Sequence, residues 1–308
     1  MKILVVSQYF WPENFRINDL LSELVERGHR VDVLTGIPNY PSGRFFDSYG
    51  LFKKVREKYC GANVYRAPLI PRGSGSSFRL ALNYLSFAFF SSLFVPFLSR
   101  KNYDVIFVFE PSPITVALPA RFYKALKKTP LILWVQDLWP ESLSATGGVR
   151  NKTIIGLVRK LVAFIYRGCD LILVTSKAYM PSVIANGGAA DALRYFPQSV
   201  EDLYQPLTLA PDAHEYDFLP AGFKVVFAGN IGAAQSFETI LDAAEKLITN
   251  PEIKFVIIGD GRMKDWLLDE IVRRRLEKVV FCLGRYPLEA MPRFFSLADA
   301  FLMTLIKD

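Results

Sequence analysis

Residues 224–248, KVVFAGNIGAAQSFETILDAAEKLI, decide the fold of the later part of this chain. The apolar run 224–228 predicts a buried β-strand, a loop with two glycines follows, and the spacing of apolar residues over 237–248 predicts an amphipathic helix. A strand, a glycine-containing turn and a helix in this order are typical of a parallel sheet with crossover helices.

The same alternation continues on both sides of this stretch. Earlier in the chain, strands are predicted at 3–7, 31–35, 105–109, 131–135 and 171–175, with helices at 18–27 and 177–186. Later, strands are predicted at 254–258, 278–282 and 300–305, with helices at 263–274 and 288–297. We therefore predict an α/β fold of two doubly wound, Rossmann-like domains, 1–196 and 221–308, that face a cleft. A Pro-rich linker, 197–220, joins them, and the second domain is expected to be incomplete.

The composition excludes several classes of protein. With 308 residues, of which 51% are hydrophobic and 22% charged, the chain can bury a large core, which excludes intrinsic disorder and a small disulfide scaffold. A formal net charge of +7 favours anionic partners such as nucleotides, nucleic acid or acidic lipid. The three cysteines, Cys60, Cys169 and Cys282, lie far apart, so no disulfide framework or zinc site is indicated. The start has no signal-peptide pattern, and a reducing cytoplasm is expected.

One segment tests the expectation of a soluble protein. Residues 80–99 contain no charge and lie between Arg79 and Arg100, which is long enough to span a bilayer. Asn83, three serines and Pro96 dilute its apolar character. A buried or membrane-surface helix is therefore favoured over a spanning one.

Three small-residue turns follow predicted strands of the second domain: residues 229–236, 259–262 and 283–287. Glycines there allow backbone amides at a helix N-terminus to meet an anion, Asp260 can accept from a ribose hydroxyl, and Arg262 can face a phosphate. Each turn alone is equally consistent with ordinary chain reversal. Three at one sheet edge favour a nucleotide site.

The first domain offers carboxylates at strand ends. Its first loop, residues 8–15, has no glycine and so excludes a G-x-G-x-x-G dinucleotide site; its aromatics suit either a ligand-facing wall or ordinary packing. Glu110, Asp137 and Glu141 follow strands, where a general base or a partner for a developing positive charge is expected. The alternative is that Asp137 or Glu141 caps the helix that follows, and this alternative is stronger for Glu141 than for Asp137. His29 and His214 lie in a turn and in the linker and are assigned structural roles.

Basic residues concentrate over 44–72, directly before the uncharged segment. This arrangement is consistent with a solvated face or with contact to an anionic membrane. Nucleic acid is not favoured, because no helix-turn-helix, RNP strand or zinc motif accompanies the basic residues.

Several stretches together identify a resemblance that covers essentially the whole chain: KILVVSQYFWPE, ELVERGHRVDVLTGIPNYPSG, WVQDLWPESLSATG, FPQSVEDLYQP, FAGNIGAAQSFETILDAAEKL, FVIIGDGRMKDWL and LGRYPLEAMPRFFSLADAFLMTL. The chain resembles family 4 glycosyltransferases of GT-B fold, and among them the bacterial polysaccharide subgroup that includes the L-fucosamine transferases of O-antigen and capsule synthesis. WVQDLWPESL and FAGNIG are specific to that subgroup.

The resemblance implies a retaining, metal-independent transfer that needs no cofactor. The sugar, expected to be an N-acetylated amino sugar on UDP, would pass from a nucleotide diphosphate sugar on domain 221–308 to a polyprenyl-diphosphate-linked saccharide on domain 1–196. The expected location is the cytoplasmic face of the plasma membrane, with peripheral attachment. No nucleic-acid partner is expected.

Combined with the positions of these residues after strands, the resemblance gives three sets of site residues. The catalytic candidates are Asp137 and Glu110. The acceptor-side candidates are Trp11, Glu13, Asn14, Gln136, Trp139 and Glu141. The donor-side candidates are Gly229, Asn230, Gly232, Gln235, Gly259, Asp260, Gly261, Arg262, Arg285 and Met291.

The chain departs from the family pattern in three places. Gln136 stands where many members have histidine, and Asn230 and Gln235 stand where typical members have Arg and Lys. Backbone amides and Arg262 would then compensate the diphosphate charge. The family's Glu-x7-Glu donor signature would lie beyond Asp308, so these 308 residues alone are expected to be inactive or impaired. Two alternatives stay open: a GT-B nucleotide-sugar epimerase and a degenerate, non-catalytic binding subunit.

Overall fold

A computed structural model describes residues 1–73, 76–145, 151–200 and 203–306. The chain forms two compact units, the first Met1–Ser199 and the second beginning at Val200. The predicted linker, 197–220, begins near this boundary and includes a short helix, Glu215–Phe218, within the second unit.

The first unit contains an eight-stranded sheet of order β3-β4-β2-β1-β5-β6-β7-β8. All neighbouring strands are parallel except β3 and β4, which are antiparallel. Its strands are β1 Lys2–Val6, β2 Arg30–Gly36, β3 Arg56–Tyr59, β4 Ala62–Ala67, β5 Val105–Glu110, β6 Leu131–Val135, β7 Leu171–Val174 and β8 Leu193–Tyr195.

Helices cover both faces of this sheet, because its strands alternate their buried side chains between two cores. Leu4 and Val6 of β1 belong to one core and Ile3 and Val5 to the other, as the period of two in a strand requires. The helices are α1 Ile17–Glu26, α2 Ser77–Leu98, α3 Leu118–Lys127, α4 Glu141–Ala145, α5 Lys152–Tyr166 and α6 Met180–Ala185.

The basic stretch 44–72 contains a hairpin that the sequence pattern did not predict. Strands β3 and β4 are joined by Cys60 and Gly61, both with positive φ, as a tight two-residue hairpin turn requires. This edge of the otherwise parallel sheet is antiparallel. Arg66 is 2% exposed and forms an ion pair with Glu57, so it does not belong to a solvated basic face.

The uncharged segment forms a surface helix of the first unit. Helix α2 begins after Ser76, whose hydroxyl accepts a hydrogen bond from the Arg79 amide at 3.3 Å. One side of α2, with Phe87, Val95 and Leu98, packs into the core. Among the described residues α2 is the one helix whose length and apolar composition would allow it to cross a membrane.

The second unit contains a four-stranded parallel sheet of order β11-β10-β9-β12. Its core lies on both faces of the sheet, with α8 and α9 on one side and α10 on the other. Its strands are β9 Phe223–Asn230, β10 Ile253–Asp260, β11 Val280–Gly284 and β12 Ala300–Phe301, and its helices are α7 Glu215–Phe218, α8 Phe237–Lys246, α9 Lys264–Arg273 and α10 Met291–Ser296.

Candidate functional site

The carboxyl ends of β1, β5 and β6 bring the predicted carboxylates of the first unit to one edge of the sheet. Glu110 is the last residue of β5, and Asp137 follows β6, its neighbour in the sheet. Parallel strands place their carboxyl ends at the same edge, which explains why residues distant in sequence come close together here.

Glu110 is completely buried. Neither of its carboxylate oxygens has a hydrogen-bond partner among the described residues. Burial raises the pKa of Glu110 well above its ordinary value, and the charge of Asp137 raises it further. The side chain therefore holds its proton at pH values where an exposed glutamate would have lost it.

Asp137 is half-buried beside Glu110. Its Oδ1 accepts a hydrogen bond from the Ser142 hydroxyl at 3.0 Å. Burial raises the pKa of Asp137, and hydrogen bonds from Ser142 and Ser112 partly oppose that increase. The sequence left open whether Asp137 caps a helix or faces a ligand, and its bond to Ser142, near the start of α4, is made to the side-chain hydroxyl and not to a backbone amide.

Tyr84, Tyr9 and Arg72 adjoin this carboxylate pair, and the sequence analysis did not identify them. The pKa of the Tyr84 hydroxyl is raised by burial and by the charge of Asp137, against the effects of Arg72, Ser112 and Tyr9. Arg72 Nη1 donates to the Tyr9 hydroxyl at 3.0 Å. These residues are far apart in the chain, so only the folded sheet edge shows that they form one polar site.

Glu13, predicted on the acceptor side, joins two loops at this edge. Its Oε1 accepts hydrogen bonds from the amides of Asn39 and Tyr40, both at 2.7 Å, and its Oε2 accepts one from the Phe10 amide at 3.2 Å. Burial raises the pKa of Glu13 to about 7, although the three amides oppose the increase. The structure thus gives Glu13 a role in holding the loops after β1 and β2.

The remaining acceptor-side candidates differ in exposure. Trp11 is 39% exposed and Asn14 is exposed, whereas Trp139 is buried with an indole N–H that has no acceptor among the described residues. The Gln136 side chain accepts a hydrogen bond from Gln198. Glu141 is exposed, at the first position of α4.

Glu141 connects α4 to α6. Its Oε1 accepts hydrogen bonds from the Ser182 hydroxyl at 2.7 Å and from the side-chain amide of Asn186 at 3.2 Å. This contact gives Glu141 a structural role within the first unit. Its predicted role on the acceptor-substrate side stays a prediction.

In the second unit, two of the predicted glycine turns lie in contact. Gly259 and Asp260 of β10 are the register partners of Gly229 and Asn230 of β9. A Cβ on Gly259 would lie 1.8 Å from the Gly229 carbonyl oxygen, and a Cβ on Gly261 would lie 2.2 Å from the Ile231 carbonyl oxygen. These two backbones can approach so closely only because no side chain is present.

Hydrogen bonds fix this pair of turns. The Ile231 amide donates to the Asp260 carbonyl oxygen at 2.9 Å, and the Met263 amide donates to the Ile231 carbonyl oxygen at 3.0 Å. The Asp260 carboxylate accepts from the Gly261 amide at 2.8 Å. The Ile231 amide is therefore already used by the protein, and ligand contacts must come from other groups of the two turns.

Polar and basic side chains surround these turns. Asn230 and Gln235 flank Gly232, and the Gln235 Oε1 atom is buried with no hydrogen-bond partner among the described residues. Arg262 and Arg285 are exposed. Lys264, which the sequence analysis missed, lies 3.9 Å from the Asp260 carboxylate.

Two further features concern the donor-side candidates. Met291 begins α10 and is buried in the core against Val226 and Phe294, so it contacts the hydrophobic interior. The segment after β12 packs on the first turn: the Thr304 hydroxyl donates to the Gln235 carbonyl oxygen at 2.5 Å, and the Ile306 amide donates to the Ala234 carbonyl oxygen at 3.0 Å.

Within residues 1–73, 76–145, 151–200 and 203–306, no group of three or more His, Cys, Asp or Glu side chains is arranged to hold a metal ion. The cysteines in these ranges are free.

Comparison with known proteins gives a consistent result for both units. Residues 14–198 match the model of the glycosyl transferase 4-like domain, and residues 218–308 match that of the glycosyl transferases group 1. The chain is 29% identical to the Escherichia coli K12 protein named for a colanic acid biosynthesis glycosyl transferase, WcaI, over 98% of this chain and 76% of that one.

A second relative and a solved structure are also similar. The chain is 27% identical to the Campylobacter jejuni N-acetylgalactosamine-N,N'-diacetylbacillosaminyl-diphospho-undecaprenol 4-alpha-N-acetylgalactosaminyltransferase, over 71% of this chain and 58% of the relative. The crystal structure of Anabaena Alr3699/HepE in complex with UDP matches with a TM-score of 0.68 and 16% identity, over 98% of this chain and 73% of that one. The structural match supports a fold of GT-B type with two Rossmann-like units.

Proposed function

This chain belongs to the glycosyl transferase 4-like family, and from that premise we propose that it transfers a sugar from a nucleotide diphosphate sugar to a lipid-linked saccharide in cell-surface polysaccharide synthesis. The observation that carries the proposal is the contact between the turns at Gly229 and Gly259, which leaves a small-residue edge bordered by Arg262, Arg285 and Lys264. Such an edge suits a diphosphate. The names of the two relatives support the same chemistry.

The proposed donor nucleotide is UDP, held by the second unit. The similar Anabaena structure was solved with UDP, which supports this choice. Asn230 and Gln235 replace the basic pair of typical members, so the diphosphate charge would be met by Arg262, Arg285 and Lys264, without a metal ion. The Oε1 atom of Gln235, which has no hydrogen-bond partner within the described ranges, is available to accept a hydrogen bond from a donor hydroxyl.

The proposed acceptor is a saccharide on a polyprenyl diphosphate, held by the first unit. The Campylobacter relative is named for a diphospho-undecaprenol substrate, which supports a lipid-linked acceptor. The same name supports an N-acetylated amino sugar as the transferred group, and the L-fucosamine transferase subgroup is the specific proposal.

The proposed reaction is a retaining transfer. The bond between the anomeric carbon and the diphosphate oxygen breaks, and the acceptor hydroxyl oxygen bonds to that carbon on the same face. The hydroxyl proton passes to the departing diphosphate. The Asp137 carboxylate would stabilise the positive charge of the oxocarbenium-like transition state, and the protonated Glu110 behind it would keep the pair from carrying two adjacent negative charges.

Helix α2 supports peripheral attachment to the cytoplasmic face of the membrane. Its outer side carries an apolar stripe, which we call the α2 stripe: Phe78, Leu85, Phe89, Leu93 and Phe97, exposed by 36–75%. Arg79 and Arg100 lie at the two ends. An apolar stripe with basic ends suits an anionic bilayer surface, and Tyr84 on the same helix belongs to the proposed acceptor site.

A transfer assay tests the proposal. The chain is incubated with radiolabelled UDP-N-acetylhexosamines and a polyprenyl-diphosphate-linked saccharide, and the lipid fraction is counted. We expect acceptor-dependent label above the level without enzyme, however slow the transfer is. We expect this label to be lost in Asp137→Asn. Binding of UDP combined with epimerised or hydrolysed sugar and no labelled lipid would contradict a transferase and favour the epimerase alternative.

A further inference from the structure

A basic cavity lies at the edge of the first sheet opposite to the candidate site. It has a volume of about 500 Å³ and is bordered by the starts of β1, β2 and β4 and by the segment between α2 and β5. A volume of this order is within the range of small-molecule sites. Because the carboxylate pair lies at the carboxyl ends of the strands, this cavity is separate from it.

The charged groups of the cavity are unbalanced. Among the described residues that line it, the cationic side chains are Lys2, Arg30, Arg100 and Lys101, and the acidic side chain is Asp32. The Asp32 carboxylate already accepts hydrogen bonds from the Lys101 ammonium at 2.6 Å, the Tyr103 hydroxyl at 2.6 Å and the side-chain amide of Asn63 at 2.8 Å.

Because Asp32 pairs with Lys101, the other three cationic side chains of the cavity face no carboxylate of their own among the described lining residues. In the part of the chain that the structure describes, Lys2, Arg30 and Arg100 form no side-chain ion pair. The neighbouring Asp104, whose carboxylate accepts the Lys2 backbone amide at 2.7 Å, sets one negative charge against these three positive charges, so an excess of positive charge remains. Like charges around one cavity repel each other, and a bound anion would remove that repulsion.

The cavity also offers neutral donors. The side-chain amide of Asn102 borders it together with His29, and Asn63 keeps one amide hydrogen besides the one it donates to Asp32. Guanidinium groups with amide donors suit the oxygens of a phosphate group, which accept several hydrogen bonds at once.

We propose that this cavity, which we call the amino-edge pocket, binds a phosphate group through Arg30, Arg100 and Lys2, and that the phosphate belongs either to a membrane-lipid headgroup or to a soluble phosphate ester. Arg100 lies two residues after the end of α2, so the pocket adjoins the end of the α2 stripe. The proposal does not depend on sugar transfer.

Binding of inorganic phosphate and of vesicles tests the proposal on the whole chain. Arg30→Gln/Arg100→Gln removes two pocket charges, and Arg275→Gln/Lys278→Gln removes two exposed charges of the second unit as a matched control. Phosphate affinity is measured by calorimetry at constant ionic strength. Flotation with phosphatidylcholine vesicles, with and without phosphatidylglycerol, measures lipid binding.

Loss of two charge-assisted contacts is expected to lower phosphate affinity at least about tenfold in the pocket variant, with the control close to the wild type. A parallel loss of binding to phosphatidylglycerol vesicles assigns the phosphate to a lipid headgroup. Unchanged vesicle binding assigns it to a soluble ester. Arg30→Lys/Arg100→Lys, which keeps both charges, is expected to recover part of the affinity. If the pocket variant and the control bind both probes equally, the proposal is overturned.

Discussion

Gly259 lies directly opposite Gly229 in the parallel register of β10 and β9, and a Cβ on Gly259 would stand 1.8 Å from the Gly229 carbonyl oxygen. The two turns of the proposed donor site therefore depend on one close backbone contact. Their relative position is set by the sheet and not by the ligand.

We predict that Gly259→Ala disrupts this contact. The added methyl group would meet backbone and not a movable side chain, so the cost is expected to be about 1–3 kcal/mol or more in stability. Affinity for UDP should fall at least about tenfold, as measured by calorimetry.

Gly156→Ala is the matched control for this substitution. A Cβ at Gly156, within α5, would meet nothing within 4 Å, so the change should leave UDP affinity unaltered and stabilise the helix slightly. Equal UDP affinity in both variants would argue against the role of the turn contact.

The buried Glu110 predicts a pH dependence of stability. Because its pKa in the folded protein is raised above that in the unfolded chain, the folded state binds the proton more tightly, and the free energy of unfolding should fall as pH rises above the ordinary carboxyl pKa. Glu110→Gln cannot ionise, so its melting temperature should fall less than that of the wild type between pH 5 and pH 8.5.

The exposed Glu26 at the end of α1 provides the control for this measurement. Glu26→Gln should reproduce the pH profile of the wild type. Parallel profiles for Glu110→Gln and the wild type would show that Glu110 does not hold a proton in this range.

Glu13 predicts a cost in stability. Glu13→Gln replaces a carboxylate that accepts three backbone amides with a group that can accept at only one atom. We expect a loss of about 2–4 kcal/mol in the free energy of unfolding, measured in urea. Glu26→Gln should change this free energy by less than about 0.5 kcal/mol. A similar loss of unfolding free energy in both variants would contradict the proposed role of Glu13 in joining the two loops.

The α2 stripe predicts the strength of membrane binding. Phe89→Gln/Leu93→Gln replaces two side chains that are 62% and 60% exposed, so the fold should persist while binding to phosphatidylglycerol vesicles falls at least about tenfold. Leu268→Gln/Val272→Gln makes the same change at the same spacing on α9. Equal flotation of the two double variants would contradict membrane contact through α2.

Apolar strands followed by glycine turns were predictable from sequence because their local pattern is strong. Strands β6 and β9 lie within two residues of their predicted ends at both termini, and the turns at Gly229 and Gly259 lie at one sheet edge as expected. The hairpin of β3 and β4 was not predicted. Its first strand, Arg56–Tyr59, is mostly charged and so lacks the apolar pattern by which the other strands were predicted, and Glu57 of this strand pairs with Arg66 of the next one.

The candidate site was predictable only in part, for a similar reason. Glu110 and Asp137 follow strands and could be located by that rule. Tyr84 and Arg72 join them through contacts between a helix, a loop and distant strand ends, and no local pattern indicates such contacts. Met291 could be assigned to the donor side by resemblance, yet its side chain is part of the core.

Calorimetric titration of the chain with UDP tests the central claim most directly, because a nucleotide diphosphate site in the second unit underlies the whole proposal. We predict saturable binding of one UDP per chain, with affinity reduced in Arg262→Gln/Arg285→Gln and unchanged in Arg275→Gln/Lys278→Gln. No heat with UDP or any UDP-sugar, or equal affinity in both double variants, would contradict it.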